Sequence, residues 1–267
     1  MASWKLMWGV AVAIYAGCKA VTWMNARISH APVWRQTAYL LGWPGMDAAR
    51  FLQKTSGPKR SPRLSNEWEA ASATVVLGTV LLFGVARTIP SHYPYLAGWI
   101  GMVGIVLILH FGIFKLLSCF WQSLGFDARP LMNHPLRSTS LGEFWGQRWN
   151  TAFRDLTHLF LFRPLTSRIG PRFGLLAGFL VSGAVHELVI SVPAYGGYGG
   201  PTLYFAIQGA GIVIERTRLS RRIGLGSGWL GRAFTMLVLI APVFLLFHRP
   251  FVIRVIVPFM RAVGALR

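Results

Sequence analysis

Long apolar segments alternate with polar segments along the whole chain. The apolar segments cover about residues 6–24, 70–89, 95–117, 174–192, 202–214 and 229–247, and a shorter one follows at 251–260. An α-helix needs ~20 apolar residues to cross a hydrocarbon core of ~30 Å. The pattern therefore predicts an all-α fold, a polytopic transmembrane helical bundle with about six to seven membrane segments. We expect Pro242 to kink the sixth segment and the segment at 251–260 to be tilted or partial.

A polar segment with its own helical periodicity precedes the fourth apolar segment. Ser140 and Glu143 match a capping box, in which a serine begins a helix and a glutamate three residues later bonds back to it. The pattern that follows predicts one amphipathic helix lying in the membrane interface, with its tryptophans at headgroup depth. Taken alone, this pattern favours an anchoring role with a solvated polar face. Its apolar face would carry Trp145, Trp149, Ala152, Phe153, Leu156 and Phe160.

The composition agrees with a membrane protein. Hydrophobic residues make up 54% of the chain and Asp and Glu together number only 8, a combination too apolar and too poor in acids for a soluble domain. The formal charge of +19 first suggests nucleic acid, but Lys and Arg are concentrated after odd-numbered apolar segments, including a basic turn at residues 57–63. This alternation follows the positive-inside rule. We expect no nucleic-acid binding, an outside N-terminus and a cytoplasmic C-terminus, and the arginine bias favours a bacterial inner membrane.

The fourth apolar segment contains the strongest candidate for a functional group. His186 and Glu187 lie side by side within a run of nineteen otherwise nearly apolar residues, 174–192. Ionisable groups inside a membrane helix are costly, so they usually face a bundle interior or a wet cavity. Gly174, Gly178, Ser182 and His186 recur every four residues, which predicts a stripe of small residues where another helix or a ligand chain approaches closely. A packing histidine satisfied by a neighbouring carbonyl is the alternative.

Other candidate groups give weaker signals. His110 is a second imidazole inside an apolar segment, and a structural role is as good an explanation as a catalytic one. Cys18 and Cys119 both lie in or beside apolar segments and indicate neither a disulfide framework nor a metal site. Since no metal-ligand spacing, phosphate-binding glycine loop or nucleophile elbow occurs, we expect no metal and no tightly bound cofactor.

Two motifs together resemble the wax synthase-like branch of the membrane-bound O-acyltransferase family. They are FWGQRWN at residues 144–150 and FLVSGAVHEL at residues 179–188, and the match is close over about residues 131–215. LGWPGMDAARFL at residues 41–52 also looks like this branch's N-terminal Trp-Pro-Gly element. The chain is short for the superfamily. The resemblance implies a helical bundle with a tunnel and transfer of an acyl group from acyl-CoA to a hydroxyl, with His186 and Asn150 as the catalytic pair.

These implied roles lead to a mechanistic expectation for one domain covering residues 1–267. His186 would act as general base on the hydroxyl of a lipophilic alcohol, and Asn150 would donate a hydrogen bond to the thioester carbonyl or its oxyanion. Glu187 would pair with another helix, for instance with an arginine there, because adjacent helical residues point ~100° apart. Acyl-CoA is then a co-substrate, and membrane lipids surround the protein. Further contacts to the two substrates are expected from Trp145, Arg148, Trp149, Gly178, Ser182 and Glu187.

Two other classes of function fit parts of the pattern. A small transporter would use His186 and Glu187 as a proton-coupled binding pair, although the sequence lacks the inverted halves typical of such proteins. A non-catalytic membrane scaffold would be expected to have lost the key residues, yet His186 and Asn150 are both present. The sequence therefore favours an enzyme.

Overall fold

The structure, a computed structural model, describes residues 1–26, 31–53 and 62–267. Within these residues every regular element is helical and no β-strand is present. Most of the basic turn predicted at residues 57–63 lies outside the described residues. The described part of the chain thus confirms the all-α class.

The helices follow the apolar segments closely. Helix α1 covers Ser3–Asn25, and the short helices α2 and α3 cover Val33–Thr37 and Ala48–Leu52, with a π-helical turn at Ala38–Gly42 after α2. The second predicted segment is α4, Pro62–Thr79, which continues through a π-helix at Val80–Val85 into α5, Ala86–Thr88. The third is α6, Pro94–Val106, followed by a π-helix at Leu107–Ile113 and by α7, Phe114–Ser123.

The second half begins with shorter helices. A 3₁₀ turn at Pro135–Arg137 precedes α8, Leu141–Glu143, which continues as a π-helix at Phe144–Arg148. Next come α9, Thr151–Thr157, a π-helix at His158–Phe162, and α10, Arg163–Ile169. The fourth predicted segment is α11, Pro171–His186, which widens into a π-helix at Glu187–Ser191 and ends with α12, Val192–Ala194.

The remaining helices complete the chain. They are α13 at Gly200–Glu215, α14 at Arg218–Arg222, α15 at Gly228–Ile240, α16 at Val243–Leu246, α17 at Arg249–Phe251, a π-helix at Val252–Ile256, and α18 at Val257–Ala262. A turn separates α15 from α16 at Ala241–Pro242, so the helix is interrupted at the proline that was predicted to kink it.

Five helices among the described residues are long and apolar enough to cross a membrane. They cover Ser3–Asn25, Leu64–Thr88, Pro94–Ser123, Pro171–Ala194 and Gly228–Leu246. The predicted fifth segment corresponds to α13, which has 16 residues, and the predicted last segment is divided among α17, α18 and the π-helix between them. The polytopic helical bundle is therefore confirmed, with these two segments shorter than a straight crossing requires.

The chain folds into two compact units. The first unit comprises Met1–Ala11, Asn133–Asn150 and Thr157–Phe259, and the second comprises Val12–Met132, Thr151–Leu156 and Met260–Arg267. The assignment of residues 1–267 to a single domain stays a prediction.

In the second unit, the Trp-Pro-Gly element forms part of an aromatic core. Phe51 is fully buried and contacts Trp43, which stacks on it at a ring distance of 6.1 Å. The Lys19 Nζ lies 3.3 Å from the centre of the Tyr39 ring and donates a hydrogen bond to the Gly45 carbonyl at 2.5 Å. The carbonyl oxygen and the ring face both carry negative partial charge, so both attract the N–H groups of this buried side chain. The Trp-Pro-Gly element therefore has a packing role in the second compact unit.

In the first unit, α11 packs along α13 because small residues let the two backbones approach. A Cβ atom on Gly183 would lie 2.7 Å from the Thr202 Cα, and one on Gly209 would lie 3.3 Å from the Phe179 Cβ. A buried cluster of Leu141, Phe144, Ile212 and Leu239 joins α8, α13 and α15 beside this contact. The packing brings the two sequence motifs into one unit.

Candidate active site

The predicted amphipathic helix after Ser140 is two helices, so the prediction of one continuous helix was wrong. The first, which we call the motif helix, covers residues 141–148, and α9 begins at Thr151. Between them Trp149 is extended, with φ −103° and ψ 127°, and Asn150 adopts a left-handed φ of 40°. Asparagine tolerates this backbone region better than other residues that carry a Cβ. The break places Asn150 in a turn and separates the tryptophans from the apolar residues of α9.

The N-terminus of the motif helix is held by two side chains. The Ser140 hydroxyl accepts a hydrogen bond from the Glu143 N–H at 2.9 Å, which confirms the predicted cap. The Glu143 carboxylate bonds instead to Thr139, whose N–H donates to its Oε2 at 2.8 Å. The Glu215 carboxylate reaches from the end of α13 and accepts the Leu141 N–H at 2.5 Å and the Gly142 N–H at 3.4 Å. A buried anion at the positive end of a helix satisfies amides that would otherwise lack an acceptor.

His186 is fixed in one tautomer by its own helix. Its Nδ1 lies 2.7 Å from the Ser182 carbonyl oxygen, one turn earlier. Because a carbonyl oxygen only accepts hydrogen bonds, Nδ1 carries the proton of a neutral imidazole and Nε2 keeps its lone pair. The imidazole packs on Phe205 of α13 at a ring distance of 4.4 Å. The ring is thus oriented on two sides, with Nε2 as its basic atom.

Three aromatic side chains form what we call the aromatic wall, Trp145, Phe179 and Phe205. The Trp145 ring lies 5.7 Å from that of Phe179 and 5.6 Å from that of Phe205. The Trp145 indole N–H donates to Gln208 Oε1 at 3.4 Å, and the fully buried Gln208 donates to the Val238 carbonyl at 2.8 Å. The wall therefore connects the motif helix to the helix of His186 by contacts within the first unit.

Glu187 pairs with another helix, as predicted, and the partners that hold it are groups at the start of α13. Its Oε1 accepts hydrogen bonds from the Gly199 N–H at 2.9 Å, the Thr202 N–H at 3.1 Å and the Thr202 hydroxyl at 3.1 Å. The carboxylate therefore caps the start of α13, where backbone N–H groups attract an anion. A contact of Glu187 with substrate stays a prediction.

The predicted stripe of small residues has more than one neighbour. A Cβ atom on Gly174 would lie 2.9 Å from the Thr166 hydroxyl oxygen, so helix α10 approaches there. The nearest atom to a Cβ on Gly178 is Leu161 Cδ2, at 4.0 Å, so this position leaves room beside the helix. The closest approach of α13 is through Gly183, which is not part of the stripe. Gly178 and Ser182 as contacts for an acyl chain stay predictions.

All the predicted site residues lie in the first compact unit. His186, Glu187, Gly178 and Ser182 belong to 157–259, while Trp145, Arg148, Trp149 and Asn150 belong to 133–150. His110 belongs to the second unit, with its ring 5.5 Å from that of Phe114, so it stays only a candidate. Among the described residues no group of three or more His, Cys, Asp or Glu is placed to hold a metal ion.

Sequence reasoning missed three supporting residues, all on α13. Phe205, Gln208 and Glu215 contact His186, Trp145 and the motif helix respectively. Only Gln208 gave a usable signal, because an amide inside an apolar segment needs a buried partner.

The chain is similar to a known family and to several known proteins. Residues 128–206 match the model of the "Membrane bound O-acyl transferase family". The protein named "Probable long-chain-alcohol O-fatty-acyltransferase 8" from Arabidopsis thaliana is 30% identical over 217 residues, which cover 75% of this chain and 63% of that protein. The "Long-chain-alcohol O-fatty-acyltransferase" of Simmondsia chinensis is 36% identical over 75 residues, which cover 25% of this chain and 21% of that protein.

A further relative shows how much of these proteins is shared. "Probable long-chain-alcohol O-fatty-acyltransferase 6" from Arabidopsis thaliana is 30% identical over 149 residues, which cover 52% of this chain and 41% of that protein. The chain spans about half the length of the curated relatives that it matches. The matched segment contains both the Asn150 turn and His186. The candidate site therefore lies in the part of the chain that is similar to the membrane-bound O-acyltransferase family.

Proposed function

We propose that the protein transfers an acyl group from acyl-CoA to the hydroxyl of a lipophilic alcohol. The observation that carries the proposal is the fixed tautomer of His186, whose Nδ1 is tied to the Ser182 carbonyl and whose Nε2 is a proton acceptor. The segment that contains it matches the membrane-bound O-acyltransferase family model, and relatives of the chain are named as long-chain-alcohol O-fatty-acyltransferases. A long-chain alcohol is accordingly the first acceptor to test.

In this mechanism His186 removes the proton from the acceptor hydroxyl. The hydroxyl oxygen attacks the thioester carbonyl carbon, a C–O bond forms, and collapse of the tetrahedral intermediate breaks the C–S bond. The proton passes from the hydroxyl to Nε2 and then to the departing thiolate, so the products are the ester and free CoA thiol with no net proton released. General base assistance of this kind is typically worth ~10²–10⁴-fold in rate.

Asn150 supports the same step from the other motif. Its amide N–H would donate to the carbonyl oxygen while negative charge develops there, and one such donor is typically worth ~2.7–4 kcal/mol. Asn150 has a left-handed φ of 40° and follows Trp149 directly after the motif helix. No metal or other cofactor takes part in this proposal.

The cellular setting follows from the charge pattern. The protein is an integral multi-pass membrane protein, for which we propose an outside N-terminus, a cytoplasmic C-terminus and a bacterial inner membrane. Coenzyme A and most loop arginines would then meet on the cytoplasmic side, and the alcohol would enter from the lipid.

The test uses purified protein in nanodiscs with acyl-CoAs of several chain lengths and a panel of alcohols. Ester is measured by mass spectrometry for the parent and for His186→Gln, which retains a hydrogen-bonding side chain but has no basic nitrogen. We expect ester from the parent and at least a ~10²-fold lower kcat in the variant. Ester formed equally by both proteins would exclude His186 as the base. No ester from any alcohol would contradict the proposed activity, and proton-coupled flux in liposomes would then test a transporter.

A further inference from the structure

We propose that Arg148 and Glu143 form a brace that positions Asn150 for the reaction, and that Arg148 is a positioning residue and not a ligand of the donor's phosphates. The inference rests on the proposed acyl transfer. It assigns a structural cause to the shape of the turn from which Asn150 projects. It also gives Arg148 a different role from the substrate contact that the sequence predicts.

The first step in the argument is the contact between the two ends of the motif helix. Arg148 donates to Glu143 Oε1 from Nε at 2.7 Å and from Nη2 at 2.6 Å. The two residues are five apart, and the π-helical turn at Phe144–Arg148 brings residues with this spacing onto one side. Their side chains are only 23% and 24% exposed. Hydrogen bonds between charged groups of this length are among the strong ones.

The second step is the connection to the preceding loop. The third guanidinium nitrogen, Nη1, lies 3.2 Å from the Asn133 carbonyl oxygen and 3.5 Å from that of His134. The Asn133 N–H in turn donates to the Arg148 carbonyl at 2.8 Å. Arg148 therefore ties the end of the motif helix to residues 133–134 through both its side chain and its backbone.

The third step concerns backbone strain on both sides of this connection. His134 has a φ of 46° and Asn150 a φ of 40°, and both are left-handed residues that carry a Cβ. Residues in this region cost of order 1–3 kcal/mol and persist only when their surroundings fix them. Arg148 contacts the first of them directly and stands two residues before the second. The brace thus stabilises the strained backbone on both sides of the motif helix end, and this backbone determines the orientation of Asn150.

The fourth step is that the guanidinium is already neutralised and occupied. Each of its three nitrogens has a protein acceptor, so binding a phosphate would require Arg148 to leave Glu143 and the loop. Burial raises the pKa of Glu143, but hydrogen bonds from Thr139 and the charge of Arg148 outweigh it, and the pKa falls below its ordinary value. A lowered pKa means that the pairing is fully present above ~4.3, the pKa of an unfolded glutamate, and is lost as the pH falls through the folded value. The brace is therefore intact at neutral pH.

The experiment separates positioning from phosphate binding by the kinetic constant that changes. Arg148→Gln and Glu143→Gln are assayed with acyl-CoA and with S-acyl-pantetheine, a donor without phosphates. We expect both variants to lose kcat on the order of 10²-fold, as a displaced catalytic group does, with the KM for acyl-CoA within about two-fold of the parent. Whatever rate the pantetheine donor supports should fall by the same factor. The double variant should be no slower than the slower single variant.

Glu143→Gln decides the point even if Arg148→Gln does not fold. This variant leaves the charge of Arg148 in place. If Arg148 binds the donor's phosphates, the variant should therefore keep full activity; if Arg148 and Glu143 form the brace, kcat should fall. A raised KM for acyl-CoA with an unchanged kcat would overturn the inference, as would parent-like kinetics of Glu143→Gln. Arg129→Gln is the matched control, since it removes an arginine that contacts Asp127 at 3.3 Å and is 67% exposed. It should keep the parent kcat.

The proposed function and the brace fail in distinguishable ways. An inactive parent, or a parent as active as His186→Gln, contradicts the proposed acyl transfer. An active parent that depends on His186 but tolerates both brace substitutions contradicts the brace alone.

Discussion

His186 and Asn150 are positioned by opposite means. The imidazole is oriented by a hydrogen bond to a carbonyl one turn earlier in its own helix, at 2.7 Å. Asn150 lies in a left-handed turn, at the end of a motif helix whose start is capped by Glu215, 73 to 74 residues further along the chain. Ser140, Glu143 and Arg148 complete the support of this helix. The His186 side chain is held locally, whereas the turn of Asn150 is held by tertiary contacts.

The contrast shows where the candidate site is vulnerable. A substitution that leaves α11 helical will leave the His186 tautomer unchanged, because the bond partner is backbone. The Asn150 turn, in contrast, has several side chains as supports, and each of them can be removed singly. Substitutions far from the chemistry should therefore act through the Asn150 half.

The largest effect in this comparison is expected at Asn150 itself. Asn150→Gly removes the amide and accepts the φ of 40° without strain, so kcat should fall by about 10²–10³-fold while the protein stays folded. Asn150→Ala removes the same amide and adds the cost of a left-handed alanine, roughly 1–2 kcal/mol. The two variants are compared by kcat and by thermal unfolding in detergent.

Comparing the two variants distinguishes the effect of losing the Asn150 amide from the effect of straining the backbone. Equal kcat with a lower Tm for Asn150→Ala is the expected result. A fully active Asn150→Gly would show that the turn matters and the amide does not.

A smaller effect is expected at Glu215, which supports the same half from α13. Glu215→Ala leaves the buried Leu141 N–H without its acceptor, which should cost about 1–3 kcal/mol of unfolding free energy. Glu215→Gln keeps an oxygen acceptor and should lose less. Both should lower kcat less than Asn150→Gly does, because the motif helix keeps its Ser140 cap.

The measurement for Glu215 is denaturant or thermal unfolding beside kcat. Arg218→Gln is a control that removes an exposed arginine of the following helix α14. Stability equal to the parent in Glu215→Ala would contradict the tertiary support of the motif helix.

Much of the fold could be predicted from the sequence because membrane helices are recognisable by the length of their apolar segments. The five long spans, the break at Pro242, the Ser140 cap and a helix partner for Glu187 all follow from local rules. These features depend on residues close together in sequence, or on the cost of an ionisable group in an apolar segment. The His186 half of the site belongs to the same class.

The remaining features depend on contacts that a periodic pattern does not encode. The residues after Ser140 keep helical spacing through Trp149, so the break at Asn150 was missed, although asparagine is the residue type that tolerates it. The cap from Glu215 and the bond from Trp145 to Gln208 join residues more than 60 positions apart. The close approach of α13 uses Gly183, one position beyond the stripe, because the partner helix decides which glycine it meets.

The smallest change in rate is expected at Gly178, two turns before His186 on the locally held half. A Cβ there would meet only Leu161 Cδ2, at 4.0 Å, so Gly178→Leu should fold. If an acyl chain lies beside this helix face, the added side chain shortens the chain that fits while leaving the reaction of short donors unchanged. The measurement is the ester yield for acyl-CoAs of graded length.

Gly183→Leu provides the contrast on the neighbouring face of the same helix. A Cβ on Gly183 would lie 2.7 Å from the Thr202 Cα, so this variant forces α11 and α13 apart and should unfold at a lower temperature. A lower unfolding temperature of Gly183→Leu would show that this face of α11 serves packing. A preference for shorter acyl chains in Gly178→Leu would show that the face of Gly178 contacts the substrate. If Gly178→Leu folds and its preference for acyl chain length is unchanged, the stripe of small residues does not bind the acyl chain. His186 would then be the residue of α11 whose part in the reaction remains to be measured.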